Sequence, residues 1–154
     1  MSKLVLTTPL GAITLVLRAD AAPATVKHVS ALVTSGVLSS ASFYRSDFVI
    51  QFGLHGSQQK SPLPDLAVNE ATRAGALSNG KGAAAVAHWD VPDCGNSEYF
   101  ISLKDNPHLD TAYGGYTVFA MVAPGDAASW ATIDAIAKAV PKGDKPRVTR
   151  AEIV

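Results

Sequence analysis

The sequence predicts a mostly-β single domain built as an antiparallel barrel or sandwich. Many short β-rich runs are spread along the chain, whereas only two segments show helical periodicity. Strands do not alternate regularly with helices, and such alternation is the mark of a parallel α/β fold. A length of 154 residues suits one domain with its own core, so we expect residues 1–154 to form a single domain.

The first predicted elements are a hairpin and a helix. Residues 4–6 and 13–17 are β-rich runs on either side of Pro9-Leu10-Gly11, which is typical of a hairpin turn. Between Pro23 and Gly36, apolar residues recur at roughly helical spacing. Proline in a first turn and glycine just after a last turn predict an amphipathic helix between these two residues.

The rest of the chain is predicted to hold further strands and one more helix. Residues 54–64 are polar and contain two prolines, so they are expected to form a loop. A second helix is predicted to begin after Asp126 as N-cap and to end at Pro141 and Gly143. The predicted strands are residues 48–52, 82–87, 99–103, 117–122 and 148–154.

Charge and composition narrow the class of partner and the compartment. The formal net charge is zero, which argues against nucleic acid or an anionic membrane as the main partner. Neither a signal peptide nor an apolar run of about 20 residues is visible, and the single Cys94 cannot form an internal disulfide. We therefore expect a monomer in the reducing cytoplasm.

Few residues suggest chemistry by themselves. Arg45 lies between aromatic residues, where it is either a surface arginine with a buried stem or a fixed donor in an apolar cleft. Cys94 lies beside Asp90 and Asp93, which disfavour a reactive thiolate. Gly80-Lys81-Gly82 lacks the pattern of a phosphate loop. No metal-ligand spacing occurs among the histidines, which are His28, His55, His88 and His108.

The order of short motifs resembles the cyclophilin family over nearly the whole chain. The matching segments are residues 8–13, Ala22-Pro23-Ala24-Thr25-Val26, Phe43-Tyr44-Arg45, Phe48-Val49-Ile50-Gln51-Phe52-Gly53, residues 82–87, Asn96-Ser97-Glu98-Tyr99-Phe100-Ile101, Leu109-Asp110 and Tyr116-Thr117-Val118-Phe119. The resemblance implies a closed eight-stranded antiparallel β-barrel capped by two α-helices, with an active-site groove on the outside of the barrel.

The resemblance also implies an activity and a set of site residues. The activity is peptidyl-prolyl cis/trans isomerisation of X-Pro bonds in polypeptides, assisting protein folding, without a metal or other cofactor. Arg45 takes the place of the catalytic arginine, and Gln51 that of the glutamine that holds it. The substrate-binding positions are Phe48, Val49, Ala87, His88, Glu98, Phe100, His108, Leu109 and Tyr116.

This chain departs from the family pattern at several of these positions. The segment Ser46-Asp47 is shorter than its usual counterpart and lacks Pro-Gly, and Val49 stands where methionine is usual. His108 replaces a common tryptophan, from which we expect weak cyclosporin binding. Glu98 replaces a glutamine, and we expect it either to slow catalysis, by pairing with Arg45 or repelling a substrate carbonyl, or to face solvent.

Two alternatives to an isomerase come from other functional classes. The first is a binding module that holds proline-containing segments in the same groove with little or no turnover. The second is a hydrolase, which the sequence does not support because it contains no Gly-x-Ser-x-Gly motif or other nucleophile–base pair.

Overall fold

A computed structural model covering residues 1–154 contains eight β-strands and two α-helices. The strands are β1 (Lys3–Thr8), β2 (Gly11–Leu17), β3 (Ser42–Ser46), β4 (Val49–Gly53), β5 (Ala83–Val86), β6 (Glu98–Ser102), β7 (Val118–Val122) and β8 (Arg150–Ile153). The helices are α1 (Pro23–Ser35) and α2 (Ala127–Ala139). None of the helices has the length and apolar composition that crossing a membrane requires.

All eight strands belong to one antiparallel sheet that curls on itself. The strand order is β3-β4-β6-β5-β7-β2-β1-β8, so β1 pairs with β2 on one side and with β8 on the other. The edges meet at a single bridge between Ser42 and Arg147. Two backbone hydrogen bonds of 2.9 Å form it, from the Val148 N–H to the Ala41 carbonyl and from the Phe43 N–H to the Pro146 carbonyl. The mostly-β fold with two helices is confirmed, and "closed" slightly overstates the barrel.

Both helices begin and end where local residues predict. At the end of α1, Gly36 has a left-handed conformation (φ 82°), and its N–H donates to the Val33 carbonyl. At the start of α2, the Asp126 side chain accepts a hydrogen bond from the Ser129 N–H, which confirms the predicted N-cap. The bonds from Ser129 hold the pKa of Asp126 below its usual range.

Strand alternation divides the apolar residues between two layers. On β4 and β6, Ile50 and Ile101 point into the barrel and join its main core. Their neighbours Val49 and Phe100 point outward into a smaller apolar cluster that also includes Leu109. Successive side chains of a strand face opposite sides of a sheet, so the same two strands build both the core and the floor of an outer groove.

Candidate functional site

An apolar groove of about 370 Å³ lies on the outside of the barrel over this second cluster. Every site residue predicted from the sequence, apart from Glu98, lines it. The complete lining is Arg45, Phe48, Val49, Gln51, Ala87, His88, Trp89, Phe100, His108, Leu109, Ala112, Tyr113 and Tyr116. The structure thus brings together residues from four separate stretches of the chain.

Aromatic and aliphatic side chains form the walls of the groove. Phe100 packs edge-on against Tyr116 with ring centroids 5.6 Å apart, and Phe48 packs edge-on against His108 at 5.3 Å. Leu109 completes the wall and is 9% exposed. This arrangement offers a small apolar ring a pocket with mostly apolar walls.

His88 and Asp110 hold the loops that border the groove. The His88 ring stacks on Tyr116 at a centroid distance of 4.2 Å, and its Nε2 lies 2.7 Å from the Gly115 carbonyl oxygen. Burial opposes ionisation of Asp110, but hydrogen bonds from Ser78 and Asn79 outweigh it and hold the pKa of this carboxyl below its usual range. Asp110 therefore ties the turn that carries Leu109 to the preceding loop.

Three residues of the groove escaped the sequence analysis. They are Trp89, Ala112 and Tyr113, and the two aromatic residues are 82% and 60% exposed on the rim. Tyr113 has a positive φ of 51° in a short turn, a conformation that is uncommon outside glycine. Trp89 lies in a loop, and hydrophobic periodicity identifies buried positions only in helices and strands. Its position directly after His88 was therefore the only sequence signal for it.

The guanidinium of Arg45 lies at the polar side of the groove and is held at two of its three nitrogens. Its Nη1 donates to Oε1 of Gln51 (3.0 Å), which is its direct partner in the β3–β4 register. Its Nε donates to Oδ2 of Asp47 (2.8 Å). The Arg45 Cζ lies 5.3 Å from the centre of the Phe48 ring. Nη2 is left without a partner in the protein and is available to a ligand.

Asp47 is a second partner of Arg45 that the sequence did not reveal. The short segment between β3 and β4 folds into a tight turn in which the Asp47 N–H donates to the Val49 carbonyl (2.9 Å). The Asp47 Oδ1 accepts from the Val49 N–H (3.1 Å), which leaves Oδ2 facing the arginine. The shortened segment, treated above as a departure from the family, therefore provides an additional support for the guanidinium.

The structure shows neither the pairing of Glu98 with Arg45 nor a freely solvated Glu98 side chain, and repulsion of a substrate carbonyl stays a prediction. The Glu98 carboxylate instead accepts hydrogen bonds from the Tyr44 hydroxyl (2.8 Å) and the Leu54 N–H (3.0 Å). Glu98 lines a neighbouring polar cavity of about 430 Å³, which adjoins the groove at Gln51 and His88.

We expect the variant Cys94→Ser to keep full activity. Cys94 lines the neighbouring cavity, where its Sγ accepts from the Trp89 N–H (3.3 Å) and donates to the Val91 carbonyl (3.3 Å). A serine hydroxyl can make both bonds. Activity on an X-Pro peptide and the melting temperature of wild type and variant are the measurements. A large loss of activity at an unchanged melting temperature would assign the thiol a role in the reaction.

Comparison with known proteins identifies the family. The model of the family described as "Cyclophilin type peptidyl-prolyl cis-trans isomerase/CLD" matches residues 3–154. The chain belongs to the cyclophilin family. It is 38% identical over 134 residues to peptidyl-prolyl cis-trans isomerase cyp18 of Streptomyces antibioticus, covering 81% of this chain and 79% of that protein. It is also 34% identical to peptidyl-prolyl cis-trans isomerase A of Dickeya dadantii, covering 78% of this chain and 65% of that protein.

A solved structure supports the fold. The cyclophilin of Cryptosporidium parvum crystallised in the presence of the dipeptide Ala-Pro has a TM-score of 0.79 to this chain at 20% identity, covering 99% of this chain and 98% of its own. As a cyclophilin, the present chain is a peptidyl-prolyl cis/trans isomerase that binds proline-containing peptides. A binding module without isomerase activity is not favoured by these comparisons.

Proposed function

We propose that Arg45 is the catalytic donor of this isomerase and that the apolar groove holds the substrate proline. The barrier to turning a peptide bond is about 18–20 kcal/mol because rotation breaks amide resonance. In the twisted state the imide nitrogen regains a lone pair, and a donor directed at it stabilises that state above both planar ones. The observation that carries the proposal is the unpartnered Nη2 of Arg45 beside the pocket.

The supports of Arg45 give this donor a fixed direction. With Nη1 on Gln51 and Nε on Asp47, the plane of the guanidinium is defined by two contacts. Catalysis by electrostatic stabilisation depends on donors that need no reorganisation when the charge develops. Gln51 therefore serves as the residue that holds the arginine, and Asp47 assists it from the opposite side.

The pocket holds the proline ring while the bond rotates. Phe48, Val49, Phe100 and Leu109 present apolar surface to the ring, and Ala87 and His88 flank the path of the substrate backbone. A ring fixed in this pocket lets the preceding residue turn about the X-Pro bond beneath Arg45. The reaction forms no covalent intermediate, so these residues need only bind, orient and exclude water.

Isomerisation of an X-Pro peptide by wild type and by Arg45→Ala tests this proposal. Loss of activity in a variant with the wild-type melting temperature supports Arg45 as the donor. Wild-type activity in that variant contradicts it and would require another source of transition-state stabilisation.

We further propose that cyclosporin binds this protein weakly. The variant His108→Trp should bind cyclosporin about tenfold more tightly, because an indole adds apolar area and an N–H donor. His108 lies at the rim of the pocket, edge-on to Phe48. Calorimetric titration of both proteins measures the difference, and their isomerase activities report whether the groove is intact. Tight binding by wild type, or no gain in the variant, would contradict the assignment of this position.

A further inference from the structure

Side chains form a continuous chain of hydrogen bonds that leads from the catalytic groove into the neighbouring cavity. Arg45 Nη1 donates to Gln51 Oε1 (3.0 Å), and Gln51 Nε2 donates to the Tyr44 hydroxyl oxygen (3.0 Å). The Tyr44 hydroxyl then donates to Glu98 Oε1 (2.8 Å). The resemblance to the family implied only the link between Arg45 and Gln51.

Glu98 is the fixed end of this chain. Its Oε2 accepts from the Leu54 N–H (3.0 Å) and the Ser97 hydroxyl (2.9 Å), while Oε1 also accepts from the His55 N–H (3.3 Å). The carboxylate lies against Gly53, its partner in the β4–β6 register, and a methyl group at Gly53 would overlap it. Backbone donors and a close approach at glycine thus hold Glu98 in one place.

A β-bulge places Tyr44 between Glu98 and Gln51. On β3 and β4, Phe43 pairs with Phe52 and Arg45 pairs with Gln51, so Tyr44 has no partner of its own across the strands. A bulge of this kind changes the direction of side chains in one strand and often occurs beside active sites. Here it directs Tyr44 and Arg45 to the two ends of the same glutamine amide.

The charge of Glu98 determines the direction of every bond in the chain. An ionised carboxylate only accepts hydrogen bonds, so Tyr44 must donate its proton to it. The Tyr44 oxygen is then left to accept from the NH₂ of Gln51, and the Gln51 carbonyl oxygen must face the guanidinium. Burial, reinforced by the Glu98 charge, raises the pKa of Tyr44 well above its usual range, so the hydroxyl keeps the proton that it donates.

We propose that Glu98 and Tyr44 are positioning residues of the isomerase, which orient the Gln51 amide so that its oxygen holds Arg45 in line with the substrate. The inference rests on the proposed catalytic role of Arg45. A glutamine at position 98 could donate to Tyr44 as well as accept from it. The tyrosine could then donate to the Gln51 oxygen instead, and the Gln51 NH₂ would face and repel the guanidinium.

The experiment measures kcat and KM separately for Glu98→Gln and Tyr44→Phe on an X-Pro peptide. We expect kcat to fall about tenfold in each variant, as for the loss of one positioning hydrogen bond, with little change in KM. The double variant should be no slower than the slower single one, because both act on the same amide. In a protein that already carries Arg45→Ala, adding Tyr44→Phe should not lower kcat further.

Matched controls separate positioning from general damage. Tyr99→Phe removes a buried hydroxyl that has no hydrogen-bond partner, and Glu152→Gln changes a carboxylate on β8 away from the groove. Both should keep the wild-type kcat. Wild-type or faster turnover in Glu98→Gln, or an undiminished effect of Tyr44→Phe without Arg45, overturns the proposal. The proposal is also overturned if kcat falls only in variants whose melting temperature has fallen as well, because unfolding would then explain the loss. If Arg45→Ala itself retains activity, the proposed function fails instead.

Discussion

Replacing Arg45 by alanine should lower kcat/KM for prolyl isomerisation by about 10²–10³, the usual effect of removing one preorganised donor from a developing charge. The expected loss is large because Arg45 is the only lysine or arginine that lines the groove, and its Nη2 has no partner in the protein. Stability should change little, since the Arg45 side chain is 43% exposed and its ion pair with Asp47 is screened by solvent.

Arg150→Ala is the matched control for this variant. Arg150 has an ion pair with Glu152 on β8, and its side chain is 70% exposed. Activity and melting temperature of both variants separate the removal of a charge from the removal of the donor. If Arg45→Ala and Arg150→Ala were equally active, the guanidinium in the groove would have no part in catalysis.

Replacing Glu70 by alanine should destabilise the fold more than any other substitution proposed for this protein. We expect it to lower the free energy of unfolding by about 2–4 kcal/mol. Glu70 is 8% exposed and accepts hydrogen bonds from the Thr25 N–H (2.7 Å), the Thr25 hydroxyl (2.8 Å) and the Ala24 N–H (3.3 Å). These N–H groups belong to the first turn of α1, where Ala22 at the N-cap has no side chain that could accept them. Without Glu70, the buried Thr25 is left with unsatisfied donors.

Chemical denaturation of wild type, Glu70→Ala and Glu70→Gln measures this effect. Glu70→Gln should lose less stability than Glu70→Ala, because its amide oxygen still accepts from Thr25. Glu152→Ala serves as a control at an exposed carboxylate and should be close to wild type. Equal stability of Glu70→Ala and wild type would show that α1 does not depend on this distant cap.

What could be predicted from the sequence depended on how far apart the interacting residues are in the chain. The ends of α1 and α2 were predictable because Pro23, Gly36 and Asp126 act on adjacent backbone. The cap that Glu70 provides for α1 could not be predicted, because it joins residues 45 positions apart in the chain. Strand β3 was also missed, since its bulge and its pairing are defined by β4.

The groove itself was predictable through the family motifs, but its polar supports were not. The motifs carry one residue type for each position and therefore implied Arg45, Gln51 and the apolar wall. The orientation of Glu98 depends on the N–H groups of Leu54 and His55, which a side-chain pattern does not describe. From the sequence, the change from a neutral to a charged residue therefore left open whether Glu98 slows catalysis or faces solvent, whereas the structure shows it bonded to Tyr44 and to two backbone N–H groups.

The position of β1 between β2 and β8 has a consequence for the nascent chain. A ribosome delivers β1 and β2 together, but residues 150–153 appear only after every other strand has been made. Until residues 150–153 have been made, the outer edge of β1 therefore exposes unpaired N–H and C=O groups, which are a template for pairing with another chain. Folding must wait for this contact between distant residues, and such contacts form slowly. The growing chain is thus exposed to association with other chains until β8 joins the sheet.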